Sequence, residues 1–190
     1  MDWFISDTHF GHGTILRSRP FASVAEMDEA MISRWNAVVG PDDHVWHLGD
    51  FSAYRDGRLR EVFWRLAGRK HLFIGNHDEE NEAILDLPWE EPPVISALRF
   101  FGKQAVFMGH YPHRSWPRIG KGAIHLFGHM HGQMPGTTLS TDMAVEAWDF
   151  RPSGLDDILR RLRRNPPHPK REVRTEAADA VTAPAPAPGR

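Results

Sequence analysis

Five short apolar runs in the sequence each end in residues of the types that bind metal ions. Four of them are VWHLGD, LFIGNHD, VFMGH and HLFGHMH, in which a glycine is followed at once by Asp, Asn-His-Asp, His or His-Met-His. The fifth, WFISDTH, ends in Asp-Thr-His without a glycine. Glycine at such a point lets the backbone turn sharply and approach another group closely. Side chains at the ends of several strands can then converge on one site.

These five segments offer three oxygen ligands and four imidazoles: Asp7, His9, Asp50, Asn76, His110, His129 and His131. One metal ion rarely needs so many protein ligands, but two ions bridged by one carboxylate do. A mixture of His and Asp without sulfur suits Mn²⁺, Fe or Zn²⁺ better than Ca²⁺ or Mg²⁺. Two metal ions about 3.5–4 Å apart are a recurring device for hydrolysing phosphoesters. The pattern therefore indicates a binuclear metal site and phosphoester hydrolysis.

The composition is that of an ordinary globular protein and excludes several kinds of site. The chain has 190 residues, 41% hydrophobic and 25% charged, with a formal net charge of -2. This charge gives no overall basic field for nucleic acid. Because the chain has no cysteine, disulfides, thiolate zinc sites and cysteine nucleophiles are excluded. MDWFISDTHF lacks a basic signal-peptide region, and no apolar run approaches the roughly 20 residues that span a bilayer, so we expect a cytoplasmic protein.

The elements that must position the ligands alternate between strands and helices in the first half of the chain. Strands are predicted at residues 2–5, 44–48 and 71–74. An amphipathic helix is predicted at 24–39, where Ser23 and Glu26 form a capping-box pattern, and a second helix is predicted around 59–66. Alternation of this kind indicates an α/β layered fold.

The second half is predicted to consist mainly of strands, at 94–101, 104–108, 123–127 and 137–141. A last helix would follow, capped by Ser153. The whole pattern predicts two packed sheets with helices outside them. We expect one domain over residues 1–164. Residues 165–190 are rich in Pro and Ala and are expected to form a disordered tail.

The order of the ligand motifs resembles that of the calcineurin-like metallophosphoesterases. Their pattern is D-x-H, G-D, G-N-H-D, G-H and G-H-x-H. It is matched here by Asp7-Thr8-His9, Gly49-Asp50, Gly75-Asn76-His77-Asp78, Gly109-His110 and Gly128-His129-Met130-His131. The short bacterial and phage-type members look most similar, in forms such as FISDTHFGH and HLGDF. The resemblance implies an α/β fold that is a four-layer αββα sandwich, with two mixed β-sheets flanked by helices.

The resemblance also implies a role for each matching residue. The first metal ion would be held by Asp7, His9, Asp50 and His131. The second would share Asp50 and be held also by Asn76, His110 and His129. A hydroxide that bridges the metals would attack phosphorus directly, and His77 would stabilise or protonate the leaving oxygen. Asp78 would orient His77, as a carboxylate behind an imidazole commonly does.

Other residues near the motifs are candidates for contacts with the substrate: His12, His113 and Arg114. Arg17 and Arg19 could also meet a phosphate, because the guanidinium fork suits that geometry. Trp116 could form a pocket wall, but packing under its loop is the favoured interpretation. Residues 151–174 are locally basic. A solvated helix face with a basic tail explains that charge better than contact with nucleic acid.

The favoured hypothesis is a hydrolase with two divalent metal ions, most simply Mn²⁺, with Fe or Zn²⁺ as alternatives. Phosphodiesters are preferred over monoesters as substrates, and nucleotides, cyclic nucleotides or nucleic acid ends are the classes considered. One alternative is a catalytically degenerate metal-binding interaction module on the same fold, and another is a hydrolase of amides or lactones. The interaction module is disfavoured because His77 and every ligand position are present. The Asn76 ligand and the His77-Asp78 pair argue against the amide or lactone hydrolase. No membrane partner is expected, and the chain could be a monomer or a homodimer.

Overall fold

A computed structural model describes residues 1–169. It contains the predicted strands and helices in their predicted order, and it adds the short helices Asn76–Glu79 and Glu82–Leu85 and the strand Ser153–Gly154. The strands of this part are β1 (Asp2–Ile5), β2 (His44–His47), β3 (Arg69–Leu72), β4 (Ser96–Phe101), β5 (Gln104–Gly109), β6 (Ile124–Phe127), β7 (Ser140–Asp142) and β8 (Ser153–Gly154). Its α-helices are α1 (Val24–Asn36), α2 (Gly57–Arg65), α3 (Asn76–Glu79), α4 (Glu82–Leu85) and α5 (Leu155–Leu162). Short 3₁₀ segments lie at Thr14–Ser18, Ile119–Lys121 and Val145–Ala147.

The strands form two mixed sheets of four strands each. The first has the order β3-β2-β1-β8, and the second has the order β4-β5-β6-β7. Strands β1, β2 and β3 are parallel, and β8 runs antiparallel beside β1. In the second sheet β5, β6 and β7 are parallel, and β4 is antiparallel. The predicted pair of mixed sheets flanked by helices is therefore confirmed.

Hydrophobic side chains fill the space between the sheets and the space under the first two helices. Phe4, Trp46 and Phe73 face Val106 and Leu126 across the interior. A second cluster joins the other face of the first sheet to α1 and α2. Each large apolar side chain that is fully buried contributes about 1.5–3 kcal/mol. The outer face of the second sheet carries a smaller cluster beneath the segment 111–123. These layers fix the strand ends relative to one another.

The helix ends show where local sequence signals were correct and where they were not. Ser23 caps α1 as predicted, because its Oγ accepts a hydrogen bond from Glu26 N at 3.1 Å. Ser153 was predicted to cap the last helix, and that prediction is wrong. It lies in β8 opposite Phe4, and α5 begins after Gly154. Gly154 is the N-cap residue instead, so no side chain caps α5.

The predicted tail lies partly within the described residues. Thr138 N donates to Pro166 O at 2.9 Å, and Asn165 Nδ2 donates to Thr137 O at 3.2 Å. His168 N also donates to Thr138 Oγ1 at 3.1 Å, so residues 165–168 pack against the segment just before β7. Residues 170–190 lie outside the described part. None of the helices within residues 1–169 is long and apolar enough to cross a membrane.

Candidate metal centre

The parallel strands deliver the predicted ligands to one edge of the sandwich. Asp7 and His9 follow β1, Asp50 follows β2, and Asn76 follows β3. The remaining three ligands follow β5 and β6 in the second sheet: His110, His129 and His131. Backbone hydrogen bonds join the two sheets at this edge, including Ser6 N to Met143 O at 2.9 Å. The carboxyl ends of strands from both sheets therefore meet around one cluster.

The first half of the cluster contains Asp7, His9 and His131. One ligand atom from each lies within 4.8 Å of those of the other two. Asp7 Oδ1 is 3.7 Å from His131 Nε2 and 3.9 Å from His9 Nε2. Asp7 and His9 are buried. The separations suit three side chains that face a common cation.

The second half contains Asp50, His110 and His129, whose ligand atoms also lie within 4.8 Å of one another. Asn76 joins this group, because its Oδ1 is 3.2 Å from His110 Nε2 and 3.1 Å from His129 Nδ1. The structure thus brings the seven predicted ligands together at one place, with Asp50 between these two groups.

Asp50 is the residue that joins the two halves. Its Oδ2 lies 3.5 Å from His9 Nε2 and 3.5 Å from His110 Nε2. Its other oxygen, Oδ1, accepts a hydrogen bond from the backbone N–H of His77 at 2.9 Å. One carboxylate oxygen therefore faces an imidazole of each set, which is the position that a bridging ligand requires.

The protonation of the cluster fits divalent cations. Burial lowers the pKa of His9, and its buried Nε2 has no hydrogen-bond partner among the described residues. Burial likewise lowers the pKa of His110, and its Nδ1 donates to Leu48 O at 2.8 Å, which leaves the Nε2 lone pair facing Asp50. Burial raises the pKa of Asp7 well above its usual range. A bound cation would favour the ionised form of that carboxylate and use the free imidazole lone pairs.

The backbone at the cluster adopts an uncommon conformation. Residues with side chains rarely have positive φ, because Cβ then crowds the backbone. Five predicted ligands do so, with φ of 56°, 48°, 59°, 68° and 48° at Asp7, His9, Asp50, His129 and His131. Strain of this kind persists where the surrounding structure holds it in place, and it is concentrated at functional sites.

Two motif glycines are needed because the strand ends approach each other closely. A Cβ at Gly128 would lie 2.5 Å from Asp7 Oδ2, and a Cβ at Gly49 would lie 2.5 Å from His110 Nδ1. Gly49 also has φ of +97°. Any side chain at either position would push a predicted ligand aside. The glycine that ends each of these apolar runs is thus a packing requirement of the cluster.

Asp78 makes different contacts from those that the sequence suggested. Its carboxylate accepts hydrogen bonds from the backbone N–H groups of Asp50, Phe51 and Gly75 at 2.8–2.9 Å. No hydrogen bond within residues 1–169 joins it to the His77 imidazole. The expected orientation of His77 by Asp78 is therefore corrected: Asp78 fixes the loop that carries Asp50.

His77 and His12 both reach the cluster. The ring centroid of His77 lies 5.0 Å from that of His9 and 5.7 Å from that of His12. One ligand atom of His77 also lies within 4.8 Å of those of His9 and Asp50. Distances alone therefore allow His77 to bind a cation, and its role at the leaving group stays a prediction.

Other candidates from the sequence lie elsewhere. The His113 ring packs against Phe107 and His125 on the outer face of the second sheet, with ring centroids 5.2 Å apart in both pairs. Arg114 is exposed and makes no hydrogen bond or ion pair within residues 1–169. Trp116 is buried, and its Nε1 donates to Ala123 O at 2.9 Å. The favoured interpretation of Trp116, packing under its loop, agrees with this position.

Three residues at the cluster were missed or misassigned. Arg19, considered for phosphate, is buried and pairs with Glu146 at 2.8 Å. Glu146, not singled out, contacts His131 Nδ1 at 3.0 Å. Tyr111 is 43% exposed, and its ring centroid lies 4.9 Å from that of His129. Tyr111 could have been identified from the sequence because it directly follows His110. No local sequence pattern indicates that Glu146 lies at the cluster.

Comparisons with known proteins place the chain among relatives from phage and archaea. The Gene 66 protein of Mycobacterium phage L5 is 30% identical over 161 residues, which cover 70% of this chain and 78% of that protein. The uncharacterized protein MJ1445 of Methanocaldococcus jannaschii is 30% identical over 169 residues, covering 83% and 89% respectively. No family model matches the chain.

The solved structure of AQ665 from Aquifex aeolicus, a protein of unknown function, has a similar fold. It aligns with a TM-score of 0.66 and 24% identity over 83% of this chain and 97% of that one. The complete series of ligand motifs lies on this two-sheet fold, at one edge. The chain belongs to the family of the phage L5 Gene 66 protein and MJ1445.

Proposed function

We propose that this chain is a hydrolase of phosphoesters that works with two divalent metal ions. The observation that carries the proposal is the position of Asp50, whose Oδ2 lies 3.5 Å from an imidazole nitrogen of each ligand set. A single cation would not require a shared carboxylate between two groups of three or more ligands. Phosphodiesters are favoured over monoesters as substrates.

The proposed ligands form two groups, which follow the distances between their side chains. Asp7, His9 and His131 would hold one ion, and Asn76, His110 and His129 would hold the other, with Asp50 shared. Two such ions would supply an activated water and neutralise the charge that develops on phosphorus. The His and Asp donors suit Mn²⁺ best, with Fe or Zn²⁺ as alternatives.

His77 is proposed to assist departure of the leaving oxygen. Its backbone N–H is bonded to Asp50 Oδ1 at 2.9 Å, so the position of its ring is tied to that of the shared carboxylate. The ring also lies beside His9 and His12. A histidine at this position can donate a proton or a hydrogen bond to an oxygen that gains negative charge.

The surroundings of the cluster agree with a substrate that carries a planar group. Tyr111 presents an exposed ring beside His110 and His129, with centroid distances of 5.1 and 4.9 Å. Aromatic rings at such a rim can stack against a base. Nucleotides, cyclic nucleotides and nucleic acid ends are therefore the classes to test first.

The cytoplasmic location and the choice between monomer and homodimer stay predictions.

Hydrolysis of two chromogenic esters tests the proposal. Metal-stripped protein would be reconstituted with Mn²⁺ and assayed on bis-p-nitrophenyl phosphate and on p-nitrophenyl phosphate. Asp50→Asn is the inactive comparison, and Asp42→Asn, whose side chain is 91% exposed, is the matched control. We expect metal-dependent release by the wild type and the control and none by Asp50→Asn, with the diester turned over faster.

Two other results would count against the proposal. Equal release by Asp50→Asn would show that the cluster does not perform the reaction. Silence on both esters with two ions bound, extended to nucleotide diesters, would favour the catalytically degenerate interaction module. A faster rate on the monoester would reverse the diester preference while leaving the metal-dependent chemistry in place.

A further inference from the structure

A buried ion pair stands directly behind one half of the cluster. Glu146 Oε1 accepts hydrogen bonds from Arg19 Nε at 2.9 Å and from His131 Nδ1 at 3.0 Å, and it lies 2.8 Å from Arg19 Nη2. The Arg19 side chain is 0% exposed and that of Glu146 is 15% exposed. Neither side chain is therefore placed to meet a substrate from solvent.

The same guanidinium also holds the backbone at Asp7. Arg19 Nη2 donates to Asp7 O at 2.6 Å, and Nη1 donates to Thr8 O at 2.8 Å. Asp7 is one of the residues in the left-handed conformation, with φ of 56°. The ion pair thus contacts two residues of the same ligand set, His131 through its ring and Asp7 through its carbonyl.

The pair also determines which ring nitrogen of His131 is free. A carboxylate oxygen can only accept, so the proton of the neutral ring lies on Nδ1. The lone pair on Nε2 then faces Asp7 Oδ1 at 3.7 Å. In the other set, the ring of His110 is held instead by the carbonyl of Leu48. The two halves of the cluster are therefore supported by separate groups.

Stability alone does not account for the pair. Burying a guanidinium and a carboxylate costs desolvation energy that their attraction often fails to exceed. Glu146 Oε2 is buried and has no hydrogen-bond partner among the described residues. A buried carboxylate with one oxygen that lacks a hydrogen-bond partner contributes little to stability. Its other oxygen is well placed to orient a metal-binding histidine.

We infer that Glu146 and Arg19 are positioning residues for one of the two metal ions, the one held by Asp7, His9 and His131. The inference rests on the proposed metal centre and adds an asymmetry to it. Loss of the pair should weaken binding of that ion and leave the ion held by Asn76, His110 and His129 almost unchanged.

Calorimetric titration of the metal-stripped full chain with Mn²⁺ tests this asymmetry. Glu146→Gln keeps the shape of the side chain and removes its charge. We expect the wild type to show two binding events and the variant to show one of them weakened about 10–100-fold, the usual effect of losing a group behind a histidine ligand. The second binding event should keep its wild-type affinity.

Glu91→Gln is the matched control. Glu91 Oε1 lies 3.3 Å from His71 Nδ1, and Oε2 accepts from Arg99 Nη2 at 3.1 Å, so this carboxylate has the same kinds of partner away from the cluster. Its variant should bind both ions normally. Arg19→Lys is the second test, for use if Glu146→Gln does not fold. It keeps a positive charge but cannot supply all the guanidinium contacts, so the same ion should be weakened.

Each other outcome has a definite meaning. Wild-type affinity for both ions in both variants would overturn the inference. Equal weakening of both ions, together with a lower melting temperature, would also overturn it, because it would show a merely structural pair. Failure of the wild type to bind any ion would instead refute the proposed metal centre itself, and the inference with it.

Discussion

The carboxylate of Asp78 holds the backbone of Asp50. Asp78 Oδ2 accepts a hydrogen bond from Asp50 N at 2.8 Å, and Asp50 Oδ1 in turn accepts one from His77 N at 2.9 Å. Hydrogen bonds accepted by the side chains of Asp50 and Asp78 therefore join the segment 49–50 to the segment 75–78. This contact fixes the carboxylate that faces both ligand sets, and it places the His77 ring relative to it.

Replacing Asp78 by Asn should disturb both metal ions. The Asp78 carboxylate accepts hydrogen bonds from backbone N–H groups, whereas the NH₂ group of an amide cannot accept them. Each lost hydrogen bond to a charged group costs about 1.5–3 kcal/mol. We expect the free energy of unfolding to fall by about 3 kcal/mol and both binding affinities to fall. Urea denaturation and Mn²⁺ titration measure these effects, with the exposed Asp86→Asn as control. An unchanged affinity for both ions would contradict the role given to Asp78.

His77→Ala should keep both ions and lose rate. Removal of a general acid typically costs about 10²–10⁴-fold in rate, and the loss is greatest when the leaving oxygen is strongly basic. The effect is measured from the rates on a series of aryl phosphodiesters whose leaving phenols have increasing pKa. The rate of the variant should fall more steeply with phenol pKa than that of the wild type. If the variant lost an ion, His77 would be a ligand, as its distance from His9 and Asp50 permits.

Gly128→Ala should weaken the half of the cluster that contains Asp7. The added Cβ would clash with Ser6 Oγ and would lie 2.5 Å from Asp7 Oδ2, so the Ser6–Asp7 segment or the backbone at residue 128 must move. We expect a loss of roughly 1–3 kcal/mol of stability, as for other overpacked sites, and weaker binding of one ion. Thermal denaturation and Mn²⁺ titration report the two effects. Gly120→Ala is the control, because its Cβ would meet nothing within 4 Å, and equal behaviour of the two variants would contradict the account.

Stability should depend on pH through a buried histidine far from the cluster. Burial lowers the pKa of His125 to about 4. The unfolded chain therefore takes up a proton near pH 6.5 that the folded chain takes up only near pH 4, and stability is lost as the pH falls across this window. The loss attributable to His125 is about 3 kcal/mol.

Comparison with His125→Asn isolates this contribution. The variant lacks the imidazole, so the difference in free energy of unfolding between the two proteins should shrink as the pH is lowered from 7 to 4. Urea denaturation at several pH values measures that difference. A difference that is constant over the whole range would show that the His125 ring titrates normally in the folded protein.

Most of the cluster was accessible from the sequence because each ligand lies where an apolar run ends. Parallel strands bring their carboxyl ends to one edge, so Asp7, Asp50 and His129 meet although they are far apart in the chain. The run 2–5 was predicted with the bounds that β1 has. Strand β8 was missed because two residues carry no periodicity, and its position depends on pairing with β1.

The errors in the site arose where a long-range contact decides the outcome. Arg19 and Glu146 are 127 residues apart, so no local pattern indicates that this arginine is paired with a carboxylate. His113 was considered for its nearness to His110, yet the chain passes to the outer face of the sheet within three residues. Asp78 was expected to orient the His77 side chain, but its hydrogen-bond partners are backbone N–H groups. Every residue except proline has such a group, so the residue types do not reveal the partners.

The number of Mn²⁺ ions that Asp50→Asn binds tests whether one carboxylate serves both metal ions. Because one carboxylate oxygen of Asp50 lies 3.5 Å from His9 and from His110, its loss should weaken both ions together. We predict two equivalents bound by the wild type and affinities lowered for both ions in the variant, with no measurable turnover. Two ions bound at wild-type affinity, with turnover preserved, would contradict the sharing of the Asp50 carboxylate between the two ions.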